Sequence, residues 1–400
     1  MSWVFYLGDT TTGLIDCPID IPSVSWSMTV SDSSLSTTKE RGVGEENVSN
    51  LTIPWSAVPG DTPARRSSAL SSYRRYLCMC WKDDDTDPNS PGVPYLIGSI
   101  GKRKDTLLDT SFSLDSFFSL LQNRLVVPEK TYGKGQNGTT NSTVRLENLS
   151  YRGIACAIGD LCTNQKPGGT LPIDWTYLGE KGTRAREYTG FDIQNNSGYK
   201  LLTNLTNLVN GPDIQFRPYL YDSSHFRVQF VAGSDSDQRL GQNIVHRLTC
   251  FPGGGTLQNV TVDRDGPIMR VYGSGSGTDQ AQICYLAEDL SLVKQTDPYP
   301  LVELAYSDSD TDNLNVLKSH SNSRLEANSV PIMQVSGEIH FNNKDTPKPG
   351  SLWPGEMVEV AIDGFPTLPD DIYKMRIMQI SGDQTDKATV KFDVYADPLY

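Results

Sequence analysis

Three glycines at alternate positions, Gly273, Gly275 and Gly277, follow the apolar pair Val271 and Tyr272 in RVYGSGSGTDQ. Closely spaced glycines after a strand are what a phosphate needs if backbone N–H groups are to cradle it. A dinucleotide fingerprint, however, sets its third glycine one residue later and opens a helix there. Here TDQAQICYLAED alternates Ala281, Ile283 and Tyr285 against Gln282, Cys284 and Leu286, which is a strand pattern. A strand, a glycine turn and a second strand predict a hairpin rather than a nucleotide loop.

The remaining reactive residue types fall short of a site in the same way. A calcium loop requires a glycine at its sixth position and a glutamate at its twelfth. DSDTDNLNVLKS from Asp308 offers Asn313 and Ser319 there, and DDDTDP from Asp83 puts Pro88 at the sixth. His225, His246, His320 and His340 are far apart and no C-x-x-C occurs, so zinc spacing is lacking. Cys78 and Cys80 share one face of a strand and read as buried thiols. No G-x-S-x-G elbow supports a serine nucleophile. No catalytic, cofactor-binding or metal-ligating residue is assigned, no cofactor is expected, and the chain reads as a non-enzyme.

The chain has 400 residues, 35 Lys and Arg, 48 Asp and Glu and a formal charge of −13. Tight nucleic-acid binding draws on cations that displace counterions from phosphate, so this balance opposes it. The densest basic group, Arg65, Arg66, Arg74, Arg75, Lys102, Arg103 and Lys104, reads as solvated charge. MSWVFYLGD has no basic segment before its short apolar run, so no secretory leader is expected, and no membrane span is expected either. Seven cysteines, an odd number, read as reduced thiols in a cytoplasm.

The elements that must position these residues are mainly strands. SVSWSMTV alternates Val24, Trp26, Met28 and Val30; RVQFV and TVKFDV repeat the period at Val228 and Phe230 and at Val390, Phe392 and Val394. YLCMCW, residues 76–81, lacks a polar face and predicts a central strand buried on both sides. Helical spacing predicts three short helices. One carries Leu114, Phe117, Phe118, Leu121 and Leu125 after Ser113; a second carries Leu201, Leu202, Leu205, Leu208 and Val209 after Ser197 and stops at Gly211; a third carries Leu314, Leu317, Ser321 and Leu325 behind Asp310 or Asp312. Residues 131–143 read as a flexible connection and 179–187 as an exposed boundary.

The C-terminal run PIMQVSGEIHFNN, then WPGEMVEVAIDGFPTLPDDIYKMRIMQISGDQTDKATVKFDV, resembles the minor tail proteins of the tail-hub class in siphophages. The order of the other stretches agrees: YLGDTTTGLIDCPIDIPSVSWSMT first, then YKLLTNLTNLVNGPDIQFRPYL and VTVDRDGPIMRVYGSGSG. Residues 131–195 match least. The resemblance implies a mainly β fold with a few short helices, β plus α/β, in a multi-domain tail-hub architecture with two barrel-like tube domains and peripheral domains. It is expected to divide as 1–130, an N-terminal barrel-like domain with a closing helix; 131–195, a peripheral or inserted domain; 196–265, a small α/β domain; and 266–400, a second barrel-like domain containing the helix 312–327. It further implies a structural virion protein at the tail tip, assembled in the host cytoplasm. Three copies would form a ring that continues the tail tube around the DNA exit channel. The implied partners are a distal tail protein, the C-terminus of a tape-measure protein, and fibre or tip proteins, with phage DNA passing through unbound. Two rivals are a carbohydrate-binding tail-tip module displaying Trp3, Trp55, Trp175 or Trp353, and a tail-associated peptidoglycan hydrolase.

Overall fold

The computed structural model describes residues 2–31, 33–36, 50–83, 87–140, 142–208, 210–309 and 311–398. Its centre is a six-stranded antiparallel sheet ordered Ile15–Ile19, Ser2–Asp9, Arg75–Lys82, Val93–Asp105, Asp109–Ser116, Asn50–Pro54. Successive side chains of a strand point to opposite faces, and here both faces are buried. Trp3, Phe5 and Leu7, with Leu77, Met79 and Trp81, enter one core. Tyr76, Cys78 and Cys80 enter a second, with Val4 and Tyr6 packed against it. The unbroken apolar run YLCMCW is thus explained, as its spacing predicts.

The first core is shared with a nine-stranded sheet built mostly from the C-terminal third. This sheet curls at the long strand Asp371–Asp383. Its first half pairs with Met357–Ile362, and its second half pairs with Lys387–Ala396 and with the N-terminal strand Ser25–Thr29. A register shift between Ile377 and Gln379 marks the corner. Mainly β and multi-domain, the chain therefore contains a curled half-barrel sheet.

Where the two sheets meet, aromatic rings from distant parts of the chain collect. Trp3 lies 4.7 Å from Trp81, 5.6 Å from Trp26 and 5.9 Å from Phe341 between ring centroids, while Tyr95 lies 5.4 Å from Trp353. The Trp3 and Trp26 indole N–H groups donate to the carbonyls of Thr385 and Asp383, both at 2.9 Å. Each buried indole therefore has its partner.

Four helices complete the described fold: α1 Pro63–Ala69, α2 Tyr151–Cys162, α3 Gly198–Thr206 and α4 Leu314–Asn328. Helices α2 and α3, with the strands Ile214–Asp222 and His225–Ala232, close the second core. A third, small core of Val271, Ala287 and Leu325 joins α4 to the three strands Arg270–Ser274, Cys284–Glu288 and Glu303–Ser307. That unit is inserted between Gln258–Asp265 and Ile332–His340, which are themselves paired.

Two local expectations are corrected. The stretch 113–125 is no helix: Asp109–Ser116 is a strand, with Leu114 opposite Ile100, followed by a 3-10 turn at Ser119–Asn123. Phe112 and Leu114 also alternate, and pairing on both sides, to Val93–Asp105 and to Asn50–Pro54, selects that period. The stretch 179–187 is exposed or half-exposed throughout, as expected, and its second half forms the strand Arg184–Thr189, which pairs with Thr143–Leu149. Helix α3 keeps its expected cap, Ser197 accepting from the Lys200 N–H at 3.2 Å. Helix α4 is capped by Asn313 rather than by Asp312, while Asp310 lies outside the described residues.

Replacing Trp3 by Ala empties the centre of this junction and removes a satisfied indole. We expect a loss of about 3–5 kcal/mol, read as a lower denaturation midpoint; a loss under about 1 kcal/mol would contradict the packing described.

Candidate functional site

The glycine stretch forms the expected hairpin. Arg270–Ser274 and Cys284–Glu288 are antiparallel neighbours. The Gly275 N–H donates to the Ile283 carbonyl at 2.9 Å and the Ile283 N–H to the Ser276 carbonyl at 3.2 Å. The Gly275 N–H, and the Ser276 N–H that donates to the Thr311 carbonyl at 2.8 Å, are thus committed within the chain rather than turned to a phosphate. Gly273 has a packing role: a Cβ there would fall 2.2 Å from Ser321 Oγ of α4.

The four histidines are in different parts of the fold. His225 Nδ1 lies 2.9 Å from Asp222 and 3.1 Å from Ser224 Oγ. Both partners share one ring nitrogen, whereas a relay needs the carboxylate on one nitrogen and the nucleophile on the other. The Asp222 carboxyl is held at about 2, first by the Ser224 backbone N–H and then by the His225 ring. His320 Nδ1 bonds Asp308 at 2.6 Å, which with Thr311 lowers that carboxyl. His340 pairs with Asp386 at 3.5 Å, and His246 Nε2 lies 2.7 Å from the Ser351 carbonyl. Among the described residues no three His, Cys, Asp or Glu side chains converge as metal ligands. The Cys78 and Cys80 sulfurs lie 3.6 Å apart inside the second core, and burial pushes the Cys78 thiol well up. No described helix is long and apolar enough to cross a membrane.

The basic group is partly committed to structure. Arg103 donates to the Ser67 and Leu70 carbonyls at the end of α1 and pairs with Asp105 at 3.1 Å. Arg65 pairs with Asp61, Arg75 with Asp16, and Arg66 donates to the Gly60 carbonyl. Arg74, Lys102 and Lys104 are exposed. Of the tryptophans considered for sugar stacking, Trp3, Trp175 and Trp353 are buried, and only Trp55 is half-buried.

What remains are surfaces, which sequence periodicity does not single out. The outer face of the small sheet sets Tyr272 between Leu286 and Ala305 in register. Beside this row Arg270 bridges Glu288 at 2.9 Å and Glu303 at 3.4 Å, and the Glu288 carboxylate raises the guanidinium further. On the six-stranded sheet the hairpin turn after Val93–Asp105 exposes Leu107 and Leu108.

Such an arrangement of layers has a counterpart among solved structures. The chain superposes on the prophage MuSo2 43 kDa tail protein from Shewanella oneidensis with a TM-score of 0.50 at 10% identity, over 98% of each chain. It has the fold of a phage tail protein. Weaker similarity extends to a tail protein from Neisseria meningitidis MC58, TM-score 0.46, 10% identity, 98% of this chain and 96% of that one. The prophage tail protein gp18 from Listeria monocytogenes EGD-e gives a TM-score of 0.40 at 10% identity, with 98% and 94% covered. No protein-family model matches the chain, and no curated protein matches it in sequence.

Gly273→Ala drives a methyl into Ser321 and should cost about 1–3 kcal/mol, seen as faster proteolysis within 266–331. Adding Ser321→Gly should restore resistance; no effect of the single change would contradict the close packing of α4 on its sheet.

Proposed function

We propose that this protein is a structural tail hub of a siphophage. Three copies form a ring at the distal end of the tail, continue the tail tube and surround the DNA exit channel. The ring joins a distal tail protein, the end of the tape-measure protein, and fibre or tip proteins. The observation that carries this reading is the end-to-end correspondence of fold with a prophage tail protein, 98% of both chains. Architecture adds support. A sheet buried on both faces and locked to a curled second sheet is a stiff body, suited to bearing load between stacked rings. Net acidity is compatible with passage of DNA, because a wall that released counterions from phosphate would retain it. The role is structural and needs no bond-making chemistry, with the protein located in the virion tail.

Imaging of the purified full chain by electron microscopy, with its mass in solution, tests this. The expected result is a ring with an open centre at three times the 44.1 kDa chain mass. A chain that stays monomeric while clearing peptidoglycan or binding cell-wall glycan would overturn it.

A further inference from the structure

The unit built from α4 and its three strands is tied chiefly to itself. Its core of Val271, Ala287 and Leu325 is separate from the two cores that fill the body. Among the described strands, none of its three pairs with a strand of either large sheet. The polar ties of these strands and of α4 also close inside the unit: Arg270 holds Glu288 and Glu303, His320 holds Asp308, and the Tyr285 hydroxyl donates to Asn322 at 3.5 Å. A stretch of chain whose contacts close on themselves behaves as its own cooperative unit.

Two stretches of chain connect it to the body, and in both the ladder is interrupted. Asp265 and Ile332 are the last partners between Gln258–Asp265 and Ile332–His340. Just beyond stand Pro267 and Pro331, which have no N–H to give, so the pairing stops there. It resumes on the far side, where the Ile268 N–H donates to the Asn328 carbonyl at 2.7 Å. Both sides of the gap are clamped. On the body side Arg264 pairs with buried Asp397 at 2.5 Å and donates to Thr367 Oγ1 at 3.1 Å, while the Asp397 N–H donates to the Pro331 carbonyl at 2.9 Å. On the unit side the Met269 N–H donates to the Val302 carbonyl at 3.0 Å and the Asp289 N–H to the Met269 carbonyl at 2.9 Å. The two prolines are buried, so freedom falls to Gly266, where a Cβ would meet nothing within 4 Å, and to Ser329 and the exposed Val330.

We propose that residues 268–328 form a hinged module that swings as one body about Gly266 and the pair Ser329 and Val330. Rigid parts joined by a few residues that absorb the change in φ and ψ are the ordinary form of a hinge. Two linkers lying side by side resist rotation within the plane of their ribbon and yield across it, so the motion is a flap about one axis. Its own contacts do not set its angle, and the module takes its position from whatever lies beside it. This inference stands apart from the hub reading.

Distances between paired spin labels test the swing in the full chain. With Cys17→Ser and Cys250→Ser, Cys284 of the module is the accessible native thiol, the other cysteines being buried. Adding Lys387→Cys gives a module-to-body pair, and Glu326→Cys on α4, with Cys284→Ser, gives a second one. Lys102→Cys with Lys387→Cys and Cys284→Ser gives a pair within the body. Labelled chain is diluted into unlabelled chain so that only distances within one copy are read. Both module-to-body distributions should be about twice as wide as the body distribution, or wider. Widths equal to that of the body pair, or broadening at only one of the two module positions, overturn the hinge. Independently, replacing residues 266–331 by Asn-Gly joins Asp265 to Ile332 through a two-residue turn. The shortened chain should unfold within about 2 °C of the body of the full chain. A larger fall shows that the body leans on the module and likewise overturns the proposal. Each of these results leaves the hub reading standing.

Discussion

Trp3, Trp26, Trp81, Tyr95, Phe341 and Trp353 come from both ends of a 400-residue chain and pack into one cluster. Everything else in the molecule is arranged about the sheets they join. An aromatic pair contributes about 0.5–1.5 kcal/mol beyond its area burial, so the contacts around Trp3 act together as a weld. The bonds from Trp3 and Trp26 to Thr385 and Asp383 hold the first strands to the turn before the last one. A second tie crosses at the opposite layer: Arg217 pairs with Glu356 at 2.9 Å over the Trp353 ring, and Arg376 pairs with Asp213. Burial lowers the Arg217 guanidinium pKa while Glu356 acts to keep it charged.

Much of this was legible where one physical requirement dominated a segment. YLCMCW has no polar face because it is buried between two cores, and Val358, Val360 and Ile362 alternate because only one of their faces is buried. Helix α3 was readable from its cap and leucines. Legibility failed where close packing imitates a break. Helix α2, YRGIACAIGDLC, contains Gly153 and Gly159, which in a sequence weaken a helix. In the fold a Cβ at Gly159 would fall 2.1 Å from the Trp175 ring, so this glycine admits an indole against the helix. Residues 113–125 failed differently, because leucines and phenylalanines there satisfy two periods and only the neighbouring strands decide between them.

The candidate surfaces were the least legible part. Leu107 and Leu108 look like ordinary apolar residues until the turn places them outward, and Tyr272 next to three glycines draws attention to phosphate chemistry instead. What the residues do share is economy of reactive groups: buried thiols lie in cores, carboxylates hold histidines or arginines, and glycines sit where backbone or helix must approach.

The central claim, that one aromatic junction makes the N-terminal and C-terminal sheets a single rigid body, is tested most directly by native-state hydrogen exchange. Amides of Arg75–Lys82 and of Lys387–Ala396 should open together, with one common free energy and one denaturant dependence, while those of Arg270–Ser274 open at lower cost. If the two sheets instead exchange as separate units with different opening energies, the junction does not hold them together and this account is wrong.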